Sequence, residues 1–122
     1  MNTVGIGRIG EKAAAKFLKK NKYRILKRNA HFSHNEIDII AQDKKHIVFV
    51  EVKTRSFSEN NFGSPALAVT RAKQKRTITA AKMFLSKYKK ERQPRFDVIE
   101  VFLNKETKNI IKINHIINAF NA

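Results

Sequence analysis

Cysteine is absent from the 122 residues. That absence excludes a disulfide framework, a cysteine-bound zinc module and a thiol nucleophile, and it fits a reducing cytoplasm better than an oxidising compartment. Long apolar runs are missing too. None approaches the roughly 18 to 20 residues of a membrane span, and the opening MNTVGIGRIGEKAAAKF lacks the uninterrupted apolar stretch of a signal peptide. The expectation is a cytoplasmic protein with no membrane segment. Internal repeats and low-complexity segments are also lacking. At this length, folding buries about two-thirds of the extended chain's surface, so a single domain over residues 1–122 with a self-sufficient core is expected.

Acids are scarce: 10 Asp and Glu stand against 26 Lys and Arg, a net charge of +16. Such a charge on one small domain points to a polyanion, because neutralising phosphates releases condensed counterions. Between Arg8 and Arg28 lie nine basic residues and one acid, Glu11; between Arg71 and Arg95 lie ten and one, Glu91. Four of the ten acids fall instead between Glu36 and Glu51. One basic run alone reads as a solvated helix face, but two runs around an acidic centre favour a nucleic-acid partner.

From Ile6 to Lys22 the apolar residues Ile6, Ile9, Ala13, Ala14, Phe17 and Leu18 recur at helical spacing, with Glu11 at the edge of the stripe. Tyr23 to Phe32 reads as a first strand. Glu36 to Gln42 and His46 to Lys53 follow as Ile- and Val-rich strands joined by a tight polar turn at Asp43-Lys44-Lys45. Residues 54–65 form a Ser/Asn/Gly-rich loop ending where Ser64 caps a helix and Pro65 occupies its first turn. Helical periodicity then runs to about Lys90, with a break near Thr70. Gln74, Ile78, Ala81, Leu85 and Tyr88 share its inward stripe. A fourth strand spans Arg95 to Leu103 and a fifth Ile110 to Asn114, with HIINAF as a short terminal helix or tail. The order predicts an α/β fold: a mixed central sheet with a helix on each side.

In a hairpin with a loop of two residues (44 and 45) or four (43 to 46), opposed residues have numbers summing to 89, so Asp38 faces Glu51. Strand alternation then places Glu36, Asp38, Glu51 and Lys53 on one face and Ile37, Ile39, Val50 and Val52 on the other. Opposed carboxylates about 5 Å apart destabilise a sheet unless they keep a proton or share a cation. A hard, oxygen-loving ion such as Mg2+ or Mn2+ suits two carboxylates with a backbone carbonyl and waters; the scattered His31, His34, His46 and His115 argue against zinc. Lys53 is placed to position an attacking water or to stabilise charge on a phosphate. The alternative is that Asp38, Glu51 and Lys53 form a plain salt-bridge network, that Gln74 merely bonds backbone, and that Asp97 pairs with Arg95.

NEIDII followed by FVEVKTR resembles the D…(D/E)xK signature of restriction-endonuclease-like nucleases, read as Asp38…Glu51-Val52-Lys53. The wider text is more specific: GEKAAAKFL, FVEVKTR, VTRAKQKR, RFDVI and INAFN resemble the YraN family of endonuclease-like proteins across nearly the whole chain. The resemblance implies a restriction-endonuclease-like core acting on structured or branched DNA. It implies Glu11 as an acid completing the metal site, Asp38 and Glu51 as metal-binding carboxylates and Lys53 as the catalytic lysine. Lys73 and Gln74 match the family's basic and polar pair on the following helix. The family usually has glycine where this chain has Asn35, a residue that tolerates left-handed backbone angles.

The leading expectation is a magnesium- or manganese-dependent endonuclease whose phosphate contacts come from Arg55, Arg71, Lys73, Gln74, Lys75 and Arg76. Two alternatives remain: a non-catalytic nucleic-acid-binding module of the same fold, and a basic protein docking on an acidic partner. The sequence leaves monomer and homodimer both open.

Overall fold

The computed structural model describes residues 3–57 and 69–122. Helix α1 (Thr3–Lys20) leads into strands β1 (Arg24–Phe32), β2 (Asn35–Gln42) and β3 (His46–Phe57). Helix α2 (Arg71–Leu85) crosses over to β4 (Gln93–Asn104), which turns back as β5 (Ile110–Phe120). The strands lie in the order β1-β2-β3-β4-β5. Only β3 and β4 run parallel, as the crossover helix between them requires; the other pairs are antiparallel. The expected α/β architecture is the one observed, and its mixed five-stranded sheet with flanking helices is consistent with a restriction-endonuclease-like core. Among the described residues no helix is long and apolar enough to cross a membrane.

The two helices bury opposite faces of the sheet. On one face Ala14, Ala15 and Leu18 of α1 pack on Ile39, Ala41, Val48, Val50, Ile99 and Val101. On the other, Ala80 and Ala81 of α2 meet Ile40, Ile47, Phe49 and Phe96. Alanines on both helices let backbone approach sheet closely, and Gly10 takes this furthest. A Cβ there would overlap Thr54 Oγ1 and lie 2.8 Å from both Cβ and Cγ2 of Thr54. α1 ends in a left-handed turn at Lys22 (φ 70°), where the Tyr23 N–H reaches Leu18 O and the Lys22 N–H reaches Lys19 O.

Several boundaries differ from the sequence reading. β3 does not stop at Lys53: it pairs with β4 through Phe57, and Phe57 stacks on Phe102 with ring centroids 5.4 Å apart. Ser64 and Pro65 lie outside the described residues. The described α2 opens at Thr70, whose side-chain oxygen accepts the Lys73 N–H at 3.1 Å. α2 ends at Leu85 rather than near Lys90. There the Ser86 hydroxyl donates to Met83 O, and Tyr88 is drawn to Gln42, so the chain turns off the helix axis.

The terminal segment, expected as helix or tail, continues β5 to Phe120. Ile116 pairs with Val98 and Phe120 with Phe96, while Asn118 (φ 57°) makes a bulge that aims its N–H at Asp97. Asp97, fully buried, needs that donor. It also takes two hydrogen bonds from Arg95 and lies 2.7 Å from His115 Nε2, so the expected Asp97–Arg95 pair is present within a wider network.

Candidate functional site

The β2–β3 register pairs Ile39 with Val50 and Gln42 with Ile47, sums of 89, as a two- or four-residue hairpin loop requires. The turn is held by Asp43, whose side chain accepts the Lys45 and His46 N–H groups. Carried one pair further, this register sets Asp38 against Glu51. Paired backbone stops there, however, because Asp38 Oδ2 takes the Val52 N–H at 2.8 Å. Asp38 therefore substitutes a carboxylate for a carbonyl at the point where the two strands part.

Alternation also breaks at Asp38, so the expected shared face of Ile37 and Ile39 is not formed. Ile39 packs under α1, whereas Ile37 packs with Ile40 in the layer under α2. On the neighbouring strand Arg28 pairs with Ile39 and Ala30 with Ile37, and Asn29 between them adopts a left-handed φ of 50°. Glu36 is accordingly directed toward α1 and not into line with Glu51 and Lys53. The Asn29 amide nitrogen, in the orientation its neighbours require, lies 2.6 Å from Glu11 Oε1 and 3.3 Å from Glu36 Oε1. Asn35 takes no left-handed angle; Ser33 does so instead (φ 59°).

Asp38 and Glu51 stand close enough that the Asp38 charge opposes ionisation of Glu51. Glu51 is buried, and burial followed by the Asp38 charge pushes it up to about 7 despite Lys73 and Lys53 nearby. Asp38 is also raised, mainly by burial, against the pull of the Val52 N–H and the Lys73 charge. Glu11 is raised by burial and by the charges of Asp38 and Glu36. Two cations flank the pair: Lys53 Nζ lies 3.8 Å from Glu51 Oε1 and Lys73 Nζ 3.7 Å from Glu51 Oε2.

The remaining sequence-derived residues divide. Arg71, Lys75 and Arg76 are exposed on α2, whose first turn has no acid to offset them. Gln74 does not reach the carboxylates; its Nε2 donates to Val69 O at 2.8 Å, the plain backbone role. Arg55 is half-buried and turned to Glu100, with Nε 3.9 Å from Glu100 Oε2. Glu100, which the sequence reading missed, is buried opposite Lys53 in the β3–β4 register and accepts a hydrogen bond from Asn114. A charged residue at alternate spacing from Phe96 and Val98 was its signal.

The donor chemistry of Asp38 and Glu51 fits a hard divalent cation: two carboxylates that repel, Glu51 buried and Asp38 partly so, where a cation would relieve the repulsion. Glu11 is close enough to raise the pair's charge cost but is engaged by Asn29. Among the described residues no three His, Cys, Asp or Glu side chains converge as a ready-made metal cage.

The family model described as "Uncharacterised protein family UPF0102" matches residues 10–101, a span that includes Gly10, the carboxylate pair, both flanking lysines and Glu100. A UPF0102 protein of Caldanaerobacter subterraneus subsp. tengcongensis is 46% identical over 121 residues, 98% of each chain. One from Symbiobacterium thermophilum is 45% identical over 118 residues, 96% of this chain and 97% of its own. One from Caldicellulosiruptor saccharolyticus is 44% identical over 121 residues, 98% of this chain and 100% of its own. With the family model covering most of its length and relatives spanning it end to end, this chain belongs to UPF0102, the YraN family its motifs resemble.

Proposed function

We propose that the protein is a divalent-cation-dependent phosphodiester hydrolase acting on nucleic acid, with structured or branched DNA as its substrate. The observation that carries this reading is the pair of mutually repelling carboxylates, Asp38 partly buried and Glu51 buried between Lys53 and Lys73, on a chain of net charge +16. A pure binder of phosphates gains nothing from setting two acids, one buried and one partly so, beside its cations, since each repels the ligand and costs desolvation.

Asp38 and Glu51 would hold a magnesium or manganese ion, which when bound polarises the scissile phosphate. Lys53 is positioned to orient the attacking water or to balance charge developing on the phosphate oxygens. Lys73, in the first turn of α2, adds a cation where the helix dipole already favours an anion. Exposed Arg71, Lys75 and Arg76 supply the sequence-independent backbone contacts. A second reading, a binding module without catalysis, draws on the engagement of Glu11 by Asn29.

The deciding test is cleavage of single-stranded, duplex and four-way-junction DNA with Mg2+ or Mn2+. Asp38→Ala should abolish it. Lys53→Ala keeps both carboxylates and should cost roughly 10²-fold or more in single-turnover rate, as for loss of one preorganised transition-state contact, while binding barely changes. Absence of cleavage by the wild type with either metal, alongside salt-sensitive binding, selects the binding module.

A further inference from the structure

A concave site of about 710 Å³, apart from the carboxylate pair, opens between β1 and the turn that follows α2. Its apolar lining comes from Phe32, Met83, Phe84 and Tyr88. Phe84 is braced on three sides: edge-to-face on Phe32 with centroids 6.3 Å apart, 6.0 Å from Phe49 and 5.6 Å from Tyr88. The Tyr88 hydroxyl donates to Gln42 Oε1 and accepts from Arg92, which fixes that ring. Around these rings stand four lysines, Lys27, Lys87, Lys89 and Lys90, and among the described residues no acid lines the site.

Lysines just past a helix C-terminus complement its dipole, and that accounts for Lys87. It does not account for Lys27, which reaches the same site from β1, or for half-exposed rings beneath the charges. A simple inorganic anion has no use for the aromatic lining, and an apolar ligand has none for four cations. A planar base carrying a phosphate uses both, stacking on the rings while lysines hold its backbone.

β1 lines the site with Lys27, His31 and Phe32, and the same strand carries Asn29 opposite Asp38, while His31 pairs with Glu36. Lys73 of the carboxylate site and Lys87 of this one stand at opposite ends of α2, about 20 Å apart along the helix axis, a span that a bound strand of several nucleotides covers.

We infer that this cavity holds an unpaired nucleotide of the bound nucleic acid, so that the preferred ligand contains a single-stranded segment. The inference rests on the nucleic-acid reading above and names its substrate class. The test uses the full chain in metal-free, EDTA-containing buffer. Anisotropy compares a labelled thymidine 12-mer with a 12-mer of abasic sites carrying the same phosphates. The thymidine oligomer should bind about tenfold tighter or more, as one or two stacked bases imply. Lys87→Glu/Lys89→Glu, both exposed positions, should weaken it by a similar factor with an unchanged circular dichroism spectrum.

Met83 is 44% exposed and the chain has no tryptophan, so Met83→Trp introduces a single reporter whose emission should shift with the thymidine oligomer. Equal affinity for the abasic oligomer, or no effect of the lysine variant, overturns the proposal. So does an equal emission shift with poly-glutamate, which would mark an acidic protein ligand. Cleavage is not read in this experiment, so a protein that cuts nothing but prefers bases to abasic sites retains the pocket and loses only the hydrolase.

Discussion

Gly10→Ala is the substitution for which the structure and helix propensity disagree most. By propensity alone, alanine in the middle of α1 should stabilise by about 1 kcal/mol. The packing predicts the reverse. The added Cβ would meet Thr54 Oγ1, and rotating the threonine does not help, because the Cβ–Cβ separation of 2.8 Å is set by the two backbones. α1 must then lift from β3, loosening the contacts of Ala14 and Leu18 with Val48 and Val50.

Overpacking of this kind costs about 3 kcal/mol, leaving a net loss of about 2 kcal/mol after the propensity gain. For a chain of this size that is a fall of roughly 6–12 °C in melting temperature, measured by circular dichroism. Gly7→Ala is the internal control: nothing lies within 4 Å of its would-be Cβ, so it should be neutral or stabilising. In the Gly10→Ala background, Thr54→Ala should recover at least about 1 kcal/mol, a coupling that independent sites do not show. Because Glu11 follows Gly10, the same lift should draw its carboxylate away from Asp38 and Glu36. A Gly10→Ala protein melting at or above the wild type would refute the close-approach argument, and with it the account of how Glu11 is placed.

Glu51 is raised from 4.5 to about 7, so the stability it contributes is full below pH 4.5 and is lost as pH rises through about 7. Glu51→Gln should therefore melt above the wild type at pH 8, by at most about 3 kcal/mol in stability, and lose that advantage at pH 4.5; parallel pH profiles would show that Lys53 and Lys73 fully balance the charge. Asp97→Asn leaves Arg95 without its buried counter-ion and should cost about 3 kcal/mol by urea unfolding. Asp97 is lowered by His115 and Arg95, so its contribution is present above the unfolded value and lost as pH falls through the folded one; a loss under 1 kcal/mol would mean that β5 is held without it. Nucleic-acid affinity should fall roughly 10³-fold or more between 50 and 200 mM salt, and a flat response would indicate a protein partner.

Much of this molecule is local in origin and so was legible in the chain. Period-3.6 alanines and Leu18 define α1, Ile- and Val-rich runs define β2 and β3, and the short polar turn at Asp43 sets a register that brings Asp38 to Glu51 by arithmetic. Net charge and the clustering of acids are likewise properties of composition. What escaped the sequence depends on partners far along the chain. HIINAF has no local preference strong enough to choose its state; pairing with β4 and the buried Asp97 made it strand. β3 runs on to Phe57 because β4 lies alongside it. The left-handed Asn29 opposite Asp38 reversed the strand faces, parting Ile37 from Ile39 and Glu36 from Glu51, an event with no signature in residue alternation. Gln74, on the inward stripe, spent its amide on Val69 O, while Glu100 came to lie beside Lys53 only through parallel pairing across a helix. Pattern determines which residues can form an element; the contacts that close the sheet determine where each element ends and which acids meet.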